Sequence, residues 1–363
     1  MQPSDIKDFH AATRDAKKVV VVDLGFLGDT VHLVPALWEI KDHHPKAELH
    51  VLSSPVGCEV LRLVRCVDRA WSFPLGPPSP SWWEHWDVLR AMRRERFDVA
   101  FNFNGADRTV FVTAVLGARQ ALAYQGARKH FWQPWLIRHW ILRTKLPTPV
   151  YEGRRHVLGL CGFALKPARF DLSVPEADRL WAQEKIPAGA LHLSLNASFA
   201  LKEWPLANNL KLVQFLLAGD FNRRLIVTAA PNPREQARLE QLRREISDTR
   251  LMLINERLSV ARLAALLERC AMHVGPDSGV IHLASALNVP TVAIFRRYHD
   301  MAEFLPLGPQ HVYFDAPCPC MESKNPACAA SGEAACLAGI SPELVGAEIR
   351  SRLAMPEAVT ATK

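Results

Sequence analysis

The sequence predicts an α/β protein of two parallel sheets wrapped by helices, the sheets facing one another across a central cleft. Two observations lead there. Short apolar, β-branched runs alternate with longer stretches of helical periodicity, the pattern of a parallel sheet covered on both faces. The alternation breaks once, at Leu165–Pro175 (LKPARFDLSVP), and then restarts.

The first unit is the clearest. Val19–Leu24 is an almost unbroken β-branched run, which suits a strand buried on both faces. Gly25 and Gly28 punctuate it, and from Val31 the apolar positions Val31, Val34, Leu37 and Trp38 recur at three and four residues, predicting a helix. Strand-like runs follow at 47–52, 69–73 and 98–103, with helices near 58–64 and 83–94. After the break, strands are expected at 191–196, 224–230, 250–254, 272–274 and 291–295. Helices are expected after Pro205 and from about Arg234, Ser259 and Gly279. The divisions are therefore a first Rossmann-like domain at 1–165, a linker at 166–175, a second Rossmann-like domain at 176–340, and a terminal helix and tail at 341–363.

The 363 residues suffice for two domains, each with its own core. The hydrophobic share of 49% and charged share of 22% are those of a globular chain. No apolar run reaches a membrane-spanning length, and the first eighteen residues lack a signal-peptide core, so a cytoplasmic location is expected. Of the net charge of +7, residues 1–165 carry +6, and eight of the ten tryptophans lie there too. A basic, tryptophan-rich half points to an anionic partner, a membrane surface or a phosphorylated acceptor. Nucleic acid is not expected, because no recognition motif accompanies the charge.

Asp29 lies at the carboxyl end of the first strand, where open α/β sheets bind ligands. Its position alone allows two roles, a helix cap or a catalytic carboxylate. The stretch 272–295 (MHVGPDSGVIHLASALNVPTVAIF) repeats the logic of strand, acid-bearing turn, helix and strand. Asp277, Ser278 and Gly279 stand where free helix amides can hold a phosphate, and His282 is one turn further on. A second turn, 196–205 (NASFALKEWP), offers Asn196, Ser198 and the cation of Lys202. Both turns leave strands of the same sheet and can grip one diphosphate. The chain has no G-x-G-x-x-G dinucleotide fingerprint after its first strand, and no Walker A motif, which favours a nucleotide-sugar enzyme.

Together LGFLGDTVHLVPAL, NASFALKEWP and GPDSGVIHLASALNVPTVAIF resemble the ADP-heptose:lipopolysaccharide heptosyltransferases of glycosyltransferase family nine. The resemblance runs from Val19 to Leu353. It implies the GT-B fold, an acceptor site in the N-terminal half and a nucleotide-sugar site in the C-terminal half. It further implies an inverting transfer of heptose from ADP-heptose to a lipopolysaccharide inner-core acceptor, with no cofactor required for catalysis. Asp29 matches the family's catalytic acid, a general base toward the acceptor hydroxyl, and faces the cleft on this reading. Lys202 matches the lysine that neutralises the donor phosphates, and Asp277, Ser278, Gly279 and His282 match the donor-binding turn. Two places depart from the pattern: Glu235 is the acid nearest to the family's ribose-binding glutamate, and Asn196, Ala197 and Ser198 replace the usual residues before the lysine. The alternatives are a family-nine transferase with another acceptor (a protein hydroxyl or an O-antigen sugar) or another nucleotide sugar, and a non-catalytic nucleotide-binding scaffold.

Two stretches remain outside that assignment. Residues 126–145 interleave Trp132, Trp135, Leu136, Ile137, Trp140 and Ile141 with Arg128, Lys129, Arg138, Arg143 and Lys145. They read either as a buried helix or as a peripheral contact with the cytoplasmic face of an anionic inner membrane. Cys318, Cys320, Cys328 and Cys336 fall within nineteen residues, a spacing that suits a structural zinc or iron site or else free loop thiols.

Overall fold

The computed structural model describes residues 4–73, 82–125, 133–137, 139–142, 149–219, 221–298, 301–318, 320, 328 and 332–354. The chain divides into two compact units, Met1–Ser173 and Val174–Lys363.

The first unit runs α1 (Ser4–Lys7), α2 (Phe9–Thr13), β1 (Lys18–Asp23), α3 (Leu27–His43), β2 (Glu48–Ser53), α4 (Pro55–Leu61), β3 (Arg69–Ser72), α5 (Trp82–Arg94), β4 (Val99–Asn102), α6 (Asp107–Leu116), β5 (Gln120–Gln125), α7 (Gln133–Leu136), β6 (His139–Leu142) and α8 (Val150–Leu160). Its sheet is parallel, in the order β3-β2-β1-β4-β5-β6. The valine run explains why β1 is central. Val19 and Val21 pack on one face with Leu33, Leu37 and Ile40 of α3, while Val20 and Val22 pack on the other with Leu89, Met92, Val112 and Leu116. Alternate residues of a strand point to opposite faces, so only a strand covered on both sides can use four valines in succession.

The second unit runs α9 (Glu176–Lys185), β7 (Ala190–Ser194), α10 (Leu206–Leu217), β8 (Leu225–Thr228), α11 (Pro233–Glu245), β9 (Leu251–Ile254), α12 (Val260–Arg269), β10 (Cys270–Pro276), α13 (Gly279–Ala286), β11 (Thr291–Arg297), β12 (His311–Pro317), α14 (Ala335–Ala338) and α15 (Pro342–Ala354). Its parallel sheet has the order β12-β11-β10-β7-β8-β9, the same winding as the first. Leu191, Leu193, Met272, Val274, Val292 and Ile294 form one face of the core with Leu212, Val213, Leu216, Val345 and Ile349. In each sheet the winding direction reverses between two central strands, β1 and β4 in the first, β7 and β10 in the second. The carboxyl ends flanking such a reversal are where ligands bind.

Three expectations change. The helix expected from Val31 begins at Leu27, so Asp29 lies inside its first turn. The helix expected near 58–64 begins at Pro55, with Ser54 as its cap accepting from the Gly57 N–H, a start that the Ser-Pro pair encodes. Residues 126–145 are not one helix: the described part holds α7 and the strand β6, which pairs with β5. Ile137 and Ile141 are buried and Trp140 is half-buried with its Nε1 donating to the Ile137 carbonyl, whereas Trp135 is 87% exposed. Several of these apolar groups thus serve the sheet edge. Trp132, Arg128, Lys129, Arg138, Arg143 and Lys145 lie outside the described residues.

The second unit also buries a histidine pair. His192 Nδ1 is 2.8 Å from His273 Nδ1, so one ring donates and the other accepts, and His192 Nε2 meets Thr228 Oγ1 at 3.0 Å. Burial pulls His192 down to about 3 and His273 well below the usual histidine range. In the unfolded chain both titrate near 6.5. Below that pH the unfolded state binds more protons than the native state, so stability falls as pH drops from about 6.5. Urea unfolding between pH 7.5 and 5 is expected to show this loss, with a shallower slope in the His192→Val/His273→Val protein.

Candidate active site

The β1–α3 turn of the first unit is built around close packing. A Cβ at Gly25 would stand 2.3 Å from the Asp29 Cβ, so the chain needs glycine there. Asp29 Oδ2 accepts the Phe26 N–H at 2.8 Å, reaching back from the third helical position to the cap. Asp29 therefore does cap α3, from within the first turn and not from the N-cap itself. Asp23, fully buried at the end of β1, accepts the Gly25 N–H and pairs with Arg154 of α8 at 2.8 Å. Arg154 also donates to the Asp29 carbonyl at 2.6 Å, and Ser54 Oγ donates to the Gly25 carbonyl at 2.7 Å. A turn clamped from three sides holds the Asp29 carboxylate in one place. Asp23 lies within the same local stretch, but Ser54 and Arg154 escape sequence inspection because they lie 25 and 125 residues beyond Asp29.

In the second unit the two predicted turns converge at the winding reversal, leaving the adjacent strands β7 and β10. Lys202 Nζ lies 2.7 Å from Asp277 Oδ2, with the carboxylate buried and the ammonium one-third exposed. Tyr298 contacts the same oxygen at 3.5 Å. His282 is buried rather than superficial. Burial lowers it to about 4, with the charge of Asp277 opposing and that of Lys202 adding, so it is neutral near pH 7. Ser278 occupies the N-cap of α13 without a capping bond from its side chain, and its Oγ is buried without a partner. Both polar atoms of Asn196 are likewise buried and unpaired. Such atoms are costly unless something supplies the missing bonds. Among the described residues, no group of three or more His, Cys, Asp or Glu forms a ready metal cage. Ser198 is exposed on the loop beside Phe199.

Glu203, which the sequence reading passed over, organises this loop. Its buried carboxylate accepts the Ala197 N–H at 3.0 Å and pairs with Arg234 at 3.1 Å and Arg238 at 3.6 Å. Arg234 donates to the Ala197 carbonyl, and Arg238 to those of Leu195 and Trp204. Burial pushes the Glu203 carboxyl up, against the pull of the Ala197 N–H and the two arginines. Trp204, 1% exposed, anchors the loop to the Leu337 carbonyl through Nε1. Glu235, the acid nearest the expected ribose contact, is occupied by its own turn: it accepts the Ala230 N–H and the Asn232 side-chain N–H. The Glu203→Gln protein keeps the volume and one acceptor but loses the charge facing two arginines. The 196–205 loop is then misplaced, and the protein is expected to lose about 2 kcal/mol of stability, read from urea unfolding.

Both units pair a doubly wound parallel sheet with turns at the winding reversal, the architecture of the GT-B glycosyltransferases. The chain belongs to glycosyltransferase family 9 (heptosyltransferase), whose sequence profile matches residues 85–332. It is 20% identical over 290 residues to the lipopolysaccharide core heptosyltransferase OpsX of Haemophilus influenzae, covering 79% of this chain and 81% of the relative. Among solved structures, a family 9 glycosyl transferase from Veillonella parvula superposes with a TM-score of 0.79 at 17% identity, covering 93% of this chain and 97% of the other. The E. coli ADP-heptose lps heptosyltransferase II gives 0.73 at 16% identity, covering 93% and 98%. These structural likenesses establish the fold. No helix among the described residues is long and apolar enough to cross a membrane.

Proposed function

We propose that the chain is an inverting transferase that moves heptose from ADP-heptose to a lipopolysaccharide inner-core acceptor. The observation that carries the donor half is the set of buried, unpaired polar atoms of Asn196 and Ser278 beside the Lys202–Asp277 pair. A nucleoside diphosphate supplies acceptors for the Asn196 amide, the Ser278 hydroxyl and the first amides of α13, and an anion for Lys202. The family and the relative described as a lipopolysaccharide core enzyme support heptose and the inner core.

In the reaction the acceptor hydroxyl oxygen bonds to the anomeric carbon as the carbon–oxygen bond to the diphosphate breaks, and ADP leaves with the electron pair. Asp29 takes the hydroxyl proton. Lys202 and the N-terminus of α13 stabilise the charge growing on the diphosphate. On this reading the residues complete the reaction without a catalytic metal, and a membrane-borne acceptor brings the basic first unit to the cytoplasmic face of the inner membrane.

A donor panel tests the reading. Purified protein is incubated with ADP-heptose, UDP-sugars and GDP-sugars and an inner-core acceptor lacking heptose, and the products are weighed by mass spectrometry. Transfer from ADP-heptose alone, undiminished by chelator, is the expected result. Transfer from another nucleotide sugar, or onto a protein hydroxyl or O-antigen sugar instead, would replace the donor or acceptor assigned here.

A further inference from the structure

The second unit gathers four of the eight cysteines at its carboxyl-terminal side. Cys318 directly follows β12, Cys336 lies in α14, and Cys320 and Cys328 fall between them. Cys320 Sγ is 3.2 Å from Cys328 Sγ, and Cys318 and Cys336 share a side-chain hydrogen bond. The two pairs are neighbours, since a single residue separates Cys318 from Cys320 in the chain. Of the other four cysteines, Cys58 is half-buried, while Cys66, Cys161 and Cys270 are buried as small apolar residues, with burial pushing each thiol up to about 12.

Arg296 gives the cluster its chemical character. At the end of β11 it donates from Nη2 to Cys318 Sγ at 2.9 Å and from Nη1 to the Leu201 carbonyl at 3.1 Å, while its Nε is buried without a partner. Among the described residues no carboxylate pairs with it. The guanidinium thus stands against the cysteine cluster as a fixed positive charge. Thiolates gathered in fours are soft ligands for a thiophilic ion. As the side chains stand, they form two thiol pairs and not a finished cage. A tetrahedral ion with metal–sulfur bonds of about 2.3 Å sets its sulfurs about 3.8 Å apart, so it would spread Cys320 and Cys328.

We propose that Cys318, Cys320, Cys328 and Cys336 bind one divalent ion, Zn2+ or Fe2+, as a structural tetrathiolate site. Binding replaces four S–H bonds with four metal–sulfur bonds and releases four protons to solvent, with no change in oxidation state. The site then carries two negative charges, one of which Arg296 offsets. It ties the segment after β12 to α14 and, through Arg296, braces the Leu201 carbonyl next to Lys202. Its role is separate from the transfer chemistry and does not depend on the identity of the sugar donor.

Elemental analysis of the full chain, purified without chelator, tests this. About one zinc or iron per chain is expected. The metal should be lost in Cys328→Ser/Cys336→Ser and kept in Cys58→Ser. Should the double variant not fold, the wild-type chain stripped of metal and titrated with Co2+ decides. Thiolate-to-cobalt charge transfer and intense tetrahedral bands, saturating at one equivalent, support the site. Metal-free protein with all four thiols freely alkylated and no such bands would overturn it, as would a Cys320–Cys328 disulfide in freshly purified reduced-buffer preparations.

Discussion

Replacing Asp29 by asparagine is expected to lower kcat by about 100-fold or more while leaving the fold and donor affinity intact. The asparagine carbonyl can still accept the Phe26 N–H that Asp29 Oδ2 accepts at 2.8 Å, so α3 remains capped. The clamp by Asp23, Arg154 and Ser54 on the neighbouring backbone is untouched. What the amide cannot do is take a proton from the attacking hydroxyl. Circular dichroism and ADP binding, measured beside single-turnover kinetics, separate the two roles. Near-normal turnover in the variant would leave Asp29 with helix capping alone.

Lys202→Met is expected to lower kcat/KM by 100-fold or more, on the order seen when one charged stabiliser of a leaving group is removed. The long apolar side chain keeps the volume and removes the ammonium 2.7 Å from Asp277. The variant has a second effect, because it leaves the Asp277 carboxylate buried without its counter-charge. The Lys202→Met/Asp277→Asn protein resolves this. If Lys202 only neutralises Asp277, the second change restores activity; if it neutralises the donor diphosphate, stability recovers and kcat/KM does not.

The parts of the site that could be read from the chain are those whose partners are close in sequence. The strand-turn-helix of residues 19–40 is local, and so is the turn 276–282, because strand period, glycine punctuation and helix period are all visible within about twenty residues. Glu203 escaped that reading. Its meaning comes from Arg234 and Arg238, three decades of residues away and brought to it only when α11 packs against the β7 loop. Residues 126–145 misled for a related reason. A four-residue strand such as β6 carries too few apolar alternations to outweigh a dense aromatic run, and only its pairing with β5 distinguishes it from a helix.

The sequence by itself determined the α/β class, the two successive Rossmann-like halves, the family resemblance, the placement of Lys202 and Asp277 in turns that follow strands, and that of Asp29 at the start of the first long helix. Those are consequences of hydrophobic period and of glycine and proline, which act over one or two elements. The tertiary structure decided what each side chain meets. It made Lys202 and Asp277, 75 residues apart, an ion pair, buried His282 and turned Asn196 and Ser278 into unpaired polar groups. It also drew Cys318 and Cys336 together beside Arg296. Desolvation and charge pairing depend on distance in space, and sheet order alone sets which strand ends, and therefore which turns, become neighbours.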